Sequence, residues 1–159
     1  MLGFAGAVER KLKTGGLVLS SKYYLDAPNE NFLTPDPAMR QIAITAAANA
    51  GLPVTHSDSL TVDAIVATPE AKAALAEKYP VGIVEMEGYW LAAEIQDAGV
   101  PFISARVVLD TALQSLPGHL LGLSQGRTQD VLRTAAMPWR APALLRLAYQ
   151  ARIARQALS

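Results

Sequence analysis

The stretch that most constrains this chain is residues 81–110, VGIVEMEGYWLAAEIQDAGVPFISARVVLD. Val81-Gly82-Ile83-Val84 is a short apolar run and reads as a buried strand. It ends at Glu85-Met86-Glu87, and a helical pattern follows from Gly88 to Ala98. Gly99 stops that helix, and residues 101–109 read as a second strand ending at Asp110. Strand, helix and strand in so short a span predict a βαβ unit with a parallel pair and a right-handed crossover. Glu85, Glu87 and Asp110 then stand at strand C-termini, where open α/β sheets bind their ligands.

A chain of 159 residues holds one domain with a sizeable core. Apolar residues are 51% and charged residues 18%, so the composition is that of a globular protein and not a disordered one. The absence of cysteine excludes a disulfide scaffold and thiolate chemistry, and with no signal peptide or spanning run the expected location is the cytoplasm. Net charge is zero, but six arginines and one acid, Asp130, follow residue 126, so that tail carries +5 against −5 for the rest. Such a tail docks on an acidic body or meets an anionic surface.

The rest of the chain supplies further strands and helices. Met1-Leu2-Gly3-Phe4-Ala5-Gly6 resembles the end of a buried strand and a small-residue turn, where a backbone can approach a ligand closely. A domain seldom opens inside a central strand, so the chain is read as part of a larger fold. A strand is expected over 17–23 after the Gly15-Gly16 turn, and a loop or lid over 25–37. Asp36-Pro37 starts a helix over 38–50, stopped by Gly51 and Pro53. One long or two short strands are expected over 54–66, then a helix over 70–79 capped by Thr68. Helical turns follow over 116–123 and 125–137, and an amphipathic basic helix over 143–158.

Several acids are placed for chemistry. Glu87, in the first turn of a helix, is either a dipole partner worth about 0.3–1 kcal/mol or a ligand group. Glu85 lies beside it, and two neighbouring carboxylates need partners or a ligand. Each carboxylate accepts two hydrogen bonds and suits a vicinal diol. Met86 between them offers a soft apolar surface for a sugar or ring edge, or packs in the core. Asp110 is either an N-cap or a general acid. Arg106, four residues back on the same strand, orients Asp110, pairs with another acid or binds an anion, and pairing is its plainest use. His56 and His119 have no metal-ligand spacing, so no metal site is expected. No elbow nucleophile, phosphate loop or aromatic stacking platform for nucleic acid is present.

Val84-Glu85-Met86-Glu87-Gly88, then Gly99-Val100-Pro101-Phe102, then Arg106-Val107-Val108-Leu109-Asp110, resembles the nucleoside phosphorylase and methylthioadenosine nucleosidase superfamily. Gly3-Phe4-Ala5-Gly6-Ala7 is similar to the small-residue loop beside the purine in that family. The tail Met137-Pro138-Trp139-Arg140-Ala141-Pro142-Ala143-Leu144-Leu145-Arg146-Leu147 resembles the hopanoid-associated phosphorylase branch, whose members are thought to release adenine from adenosylhopane.

The resemblance implies a three-layer α/β sandwich, a twisted mixed sheet flanked by helices, lacking the family's first strand and its glycine-containing phosphate loop. It implies cleavage of the N-glycosidic bond of a 5′-substituted adenosine by phosphate, with no cofactor and a homo-oligomeric state. A nucleosidase using water and an inactive fragment binding nucleosides or a partner chain are the alternatives. Glu87 and Met86 would bind the ribose, and Glu85 would support the ribose or the water network, with Arg106 in support. Ala5, Gly6 and Ile65 would lie at the base, and Asp110 would protonate the leaving purine. The chain departs from the family at Ile65, where an aromatic residue usually stacks, and at Leu109, where a serine usually stands. A lipid-linked substrate and peripheral membrane contact would suit the basic tail.

Overall fold

The computed structural model describes residues 1–28 and 32–116. The strands are β1 (Leu2–Ala7), β2 (Leu17–Leu25), β3 (Phe32–Leu33), β4 (Val54–Thr61), β5 (Ile83–Glu85) and β6 (Ala105–Asp110). The helices are α1 (Pro37–Asn49), α2 (Pro69–Lys78) and α3 (Gly88–Asp97). The expected helices over 125–137 and 143–158, and all but the first residue of that over 116–123, lie outside the described residues.

The six strands form one mixed sheet in the order β3-β2-β4-β5-β1-β6, as the α/β expectation required. Its ends also meet: Leu17, Val18 and Leu19 of β2 pair antiparallel with Val107, Arg106 and Ala105 of β6. Strands β2, β4, β5, β1 and β6 therefore close a ring. One cluster of buried apolar residues comes from four of these strands, with Ala5 and Ala7 from β1, Val18 from β2, Ile83 from β5 and Val108 from β6. Alanines on β1 suit this, since the inside of a small closed sheet holds few large side chains.

The helices cover separate parts of the outside. Ala43 and Ile44 of α1 pack on Leu19, Ile103 and Ala105. Leu75 of α2 packs on a cluster that includes Tyr24, Leu60, Tyr79 and Val84. Ala92 of α3 is buried with Tyr23 and Phe102, whose rings meet edge to face at 5.4 Å. The caps follow the sequence signals. Asp36 Oδ1 accepts from the Met39 N–H at 2.8 Å, and Thr68 Oγ1 accepts from the Ala71 N–H at 3.2 Å. Gly51 and Gly99, at positive φ, end α1 and α3.

One expectation fails. The strands β5 and β6 do not form a parallel pair, because β1 lies between them, antiparallel to β5 and parallel to β6. They therefore run in opposite directions. The helical link between them carries no handedness signal, and the inserted strand comes from the far end of the chain, so nothing local reveals it. Smaller differences lie at boundaries. The small residues Ala5-Gly6-Ala7 continue β1 rather than turning, β4 ends at Thr61, and β6 begins only at Ala105.

The β1–β6 register shifts between Ala5 and Gly6: Ala5 pairs with Val108, but Gly6 pairs with Asp110. Leu109 is thus an extra residue in β6. A bulge of this kind breaks the alternation of side chains along a strand and re-aims those at its end.

Candidate active site

The bulge faces a cavity of about 440 Å³ at the meeting point of β1, β5 and β6. Ala5 and Gly6 line it from β1, and Arg106, Leu109 and Asp110 line it from β6. Glu85, Met86 and Glu87 enter from the turn between β5 and α3, and Ile65 from the segment after β4. Strict alternation would put Leu109 on the opposite face from Asp110; the bulge lets both reach the cavity. All the residues expected at the site from sequence are thus neighbours of one space.

The acids occupy different environments. Glu85 is buried, and its carboxylate is fully engaged. Its Oε2 accepts from Arg106 Nη2 at 2.6 Å and from the N–H groups of Gly88 at 2.6 Å and Glu87 at 3.0 Å. Its Oε1 accepts from the Thr61 hydroxyl, whose oxygen accepts in turn from the Tyr89 N–H at 2.8 Å. Glu85 and Thr61 together satisfy the first N–H groups of α3, an arrangement favoured by the helix dipole. Gly88 makes this possible, since a Cβ there would stand 2.9 Å from Glu85 Oε1. Arg106 therefore pairs with an acid, the plainest of the uses its position allowed.

Glu87 differs. It is exposed, and its side chain makes no capping bond to α3 although it stands at the cap position. Glu85 has taken that work, which leaves the Glu87 carboxylate facing the cavity. Met86 beside it is 39% exposed, so it offers surface and is not core.

Asp110 is 3% exposed. Burial pushes its carboxyl above the ordinary carboxylate range, and the Lys72 ammonium beside it pulls the other way. Gly6 lets the chain pass close, since a Cβ there would lie 3.2 and 3.3 Å from the two Asp110 oxygens. Lys72 was not expected at the site. It is fully buried on α2 and donates to Asp110 Oδ2. The signal was its place in the helix: Lys72, Leu75 and Tyr79 share a face at spacings of three and four residues; Tyr79 is core and Leu75 is partly buried against it. A lysine in an apolar stripe needs a buried partner.

The sequence profile of the Phosphorylase superfamily matches residues 1–137. The chain belongs to that superfamily.

No curated protein matches the chain. Solved structures of the superfamily's fold do. A futalosine hydrolase mutant of Helicobacter pylori superposes with a TM-score of 0.67 at 21% identity, covering 82% of this chain and 64% of that one. The 5′-methylthioadenosine/S-adenosylhomocysteine nucleosidase of Campylobacter jejuni gives 0.68 at 22% identity, covering 83% and 66%. The Helicobacter pylori nucleosidase with butyl-thio-DADMe-Immucillin-A gives 0.65 at 19% identity, covering 99% and 66%. These likenesses establish the fold. The chain spans just under two thirds of the length of these structures.

Among the described residues no group of side chains could hold a metal ion, and no helix is long and apolar enough to cross a membrane.

Proposed function

We propose that the site cleaves the N-glycosidic bond of a purine nucleoside and releases adenine. The observation that carries this reading is the division of labour in one cavity: a carboxylate at Glu87, beside Met86, that takes no hydrogen bond among the described residues, and a buried acid at Asp110 beside Gly6. Glu87 accepts hydrogen bonds from the ribose hydroxyls, and Met86 packs on the sugar. The base lies along Ala5, Gly6 and Ile65. Glu85 touches no ligand in this reading; it fixes Arg106 and the start of α3.

In the reaction the bond between the anomeric carbon and the purine nitrogen breaks, its electron pair goes to the base, and Asp110 gives the base a proton. A phosphate oxygen forms the new bond to the anomeric carbon. The transition state is oxocarbenium-like, so negative charge near the ribose and an acid near the leaving base are what it needs. An acid whose pKa is raised by burial still holds its proton nearer neutral pH, which suits it to the task. Activity then falls as pH rises through the pKa of Asp110.

The substrate is a 5′-substituted adenosine with an apolar substituent, of the adenosylhopane kind. Leu2, Phe4, Val62, Leu109 and Leu116 on the cavity wall support an apolar group, and Ile65 in place of a stacking aromatic and Leu109 in place of a serine agree with it. A second reading replaces phosphate by water; the futalosine hydrolase and the nucleosidases of like fold favour it. Adenine release from 5′-methylthioadenosine and a 5′-alkyl adenosine, with and without phosphate, separates the two. Release that does not change when phosphate is withdrawn makes the enzyme a nucleosidase. Asp110→Asn should lower kcat by roughly 10²–10⁴-fold, the usual worth of a general acid. If the wild type releases no adenine from either compound, the catalytic reading fails, and the alternative of an inactive chain that binds nucleosides or a partner chain takes its place.

A further inference from the structure

Lys72 stands outside that reaction scheme, yet its environment is built around the acid. Its ammonium has three N–H donors, and each meets an acceptor: Asp110 Oδ2, the Thr111 carbonyl at 2.7 Å and the Gln114 carbonyl at 3.0 Å. The side chains of the pair are 1% and 5% exposed. Asp110 Oδ1 takes no hydrogen bond among the described residues, and Asp110 lines the cavity. One carboxylate oxygen is thus held from α2 and the other is left to the cavity. The helix that supplies the lysine is itself anchored by the Thr68 cap, by Tyr79 in the core and by Leu75 packed against that core.

We propose that Lys72 is the positioning residue for Asp110: it fixes the carboxyl by one oxygen, presents the other to the leaving base, and ties the segment after β6 to the same ammonium. The inference rests on the reading of Asp110 as the acid. Its chemical sense is matching. Burial alone makes a carboxyl that keeps its proton too firmly, and an adjacent ammonium makes it a better donor. No proton needs to leave Lys72 in the step. Among the described residues the other charged groups around Asp110 are few. Arg106 on β6 is paired to Glu85, Glu85 and Glu87 lie across the cavity, and β1 contributes none. The segment after β4 carries Asp63, which is exposed and does not line the cavity. Lys72 is the cation in contact with Asp110, so its removal must register there.

The test is the pH profile of kcat/KM for adenine release by the wild type, Lys72→Met and Lys72→Gln. The expected result is a loss in kcat of about tenfold to a hundredfold, the order seen when a reacting group is misplaced by an ångström, with KM changed little. The limb assigned to Asp110 should also move to higher pH in both variants. Lys72→Gln keeps two N–H donors for the same oxygens, so it serves if Lys72→Met does not fold. A variant that loses rate with an unmoved limb, or that raises KM alone, overturns the positioning role. If neither variant folds, the ¹⁵Nζ signal of Lys72 in the wild type decides: a signal that moves in step with the ¹³C signal of the Asp110 carboxyl across the pH range, and again when free adenine fills the cavity, supports the assignment, and one that follows neither overturns it. Absence of turnover in the wild type would instead sink the catalytic reading, so the two failures are told apart.

Discussion

Arg106→Met removes the cation of a buried pair and leaves the Glu85 carboxylate behind. The side chains of the pair are 4% and 2% exposed, and their contact is 2.6 Å. Three other donors remain on Glu85, from Thr61, Glu87 and Gly88, so the carboxylate is not stripped of hydrogen bonds but loses the one opposite charge paired with it among the described residues. Breaking such a pair by removing one partner costs about 3–5 kcal/mol. Against a total stability of roughly 5–15 kcal/mol that is a large share. At about 2–4 °C per kcal/mol for a chain of this size, the melting temperature should fall by roughly 6–20 °C. Glu85→Gln leaves Arg106 unpaired and should also destabilise. The double variant Arg106→Met with Glu85→Gln removes both charges, and its loss should be smaller than the sum of the single losses by roughly 0.5–3 kcal/mol. Urea unfolding of the four proteins in a double-mutant cycle reads this directly. Additive losses, or an Arg106→Met variant within about 0.5 kcal/mol of wild type, would refute the claim that the pair is closed to solvent and coupled.

Two further outcomes follow from single positions. Gly6→Ala places a methyl 3.2 Å from Asp110 Oδ2 and 3.4 Å from Val84 Cγ2. Stability should fall by about 1–3 kcal/mol for the overpacking, and kcat by roughly tenfold or more as the carboxyl is displaced; an unchanged kcat in steady-state assays would place the acid elsewhere. Outside the cavity lining, Asp26 accepts from the Tyr79 hydroxyl at 2.7 Å and Lys78 Nζ at 2.9 Å, and these bonds hold its carboxyl below the ordinary range. A depressed folded pKa gives stability that is present above the unfolded value of about 3.9 and is lost as pH falls through the folded one. Asp26→Asn should therefore flatten the decline of stability below about pH 4. Because Asp26 is exposed, the difference at neutral pH should stay under about 1 kcal/mol. An unaltered acid limb in thermal melts from pH 2 to 7 would contradict this.

Local signals carried the secondary structure. Asp36 with Pro37 and Thr68 with Pro69 announced α1 and α2, because an N-cap oxygen satisfies a helix N–H within its own turn. Gly51 and Gly99 announced the ends for an equally local reason, a positive φ. The span 81–110 placed Glu85, Met86, Glu87 and Asp110 at element ends, and the structure gathers them at one cavity.

What the span left open was which acid does what. Glu85 and Glu87 look alike in the sequence, two carboxylates flanking a methionine. The tertiary structure separates them, because Thr61 and Arg106 arrive from β4 and β6 to saturate Glu85, while Glu87 is exposed and makes no capping bond. The same holds for Asp110. Its partner Lys72 lies 38 residues away on a helix, and only packing brings the two together. The βαβ expectation failed for that reason too, since β1 enters between β5 and β6 from the start of the chain. Caps, turns and alternation are decided by neighbours along the backbone, so the sequence by itself determined the elements and where the carboxylates stand on them. Strand order, the bulge at Leu109 and the partners of each buried charge depend on contacts between distant segments, and only the tertiary structure decided those.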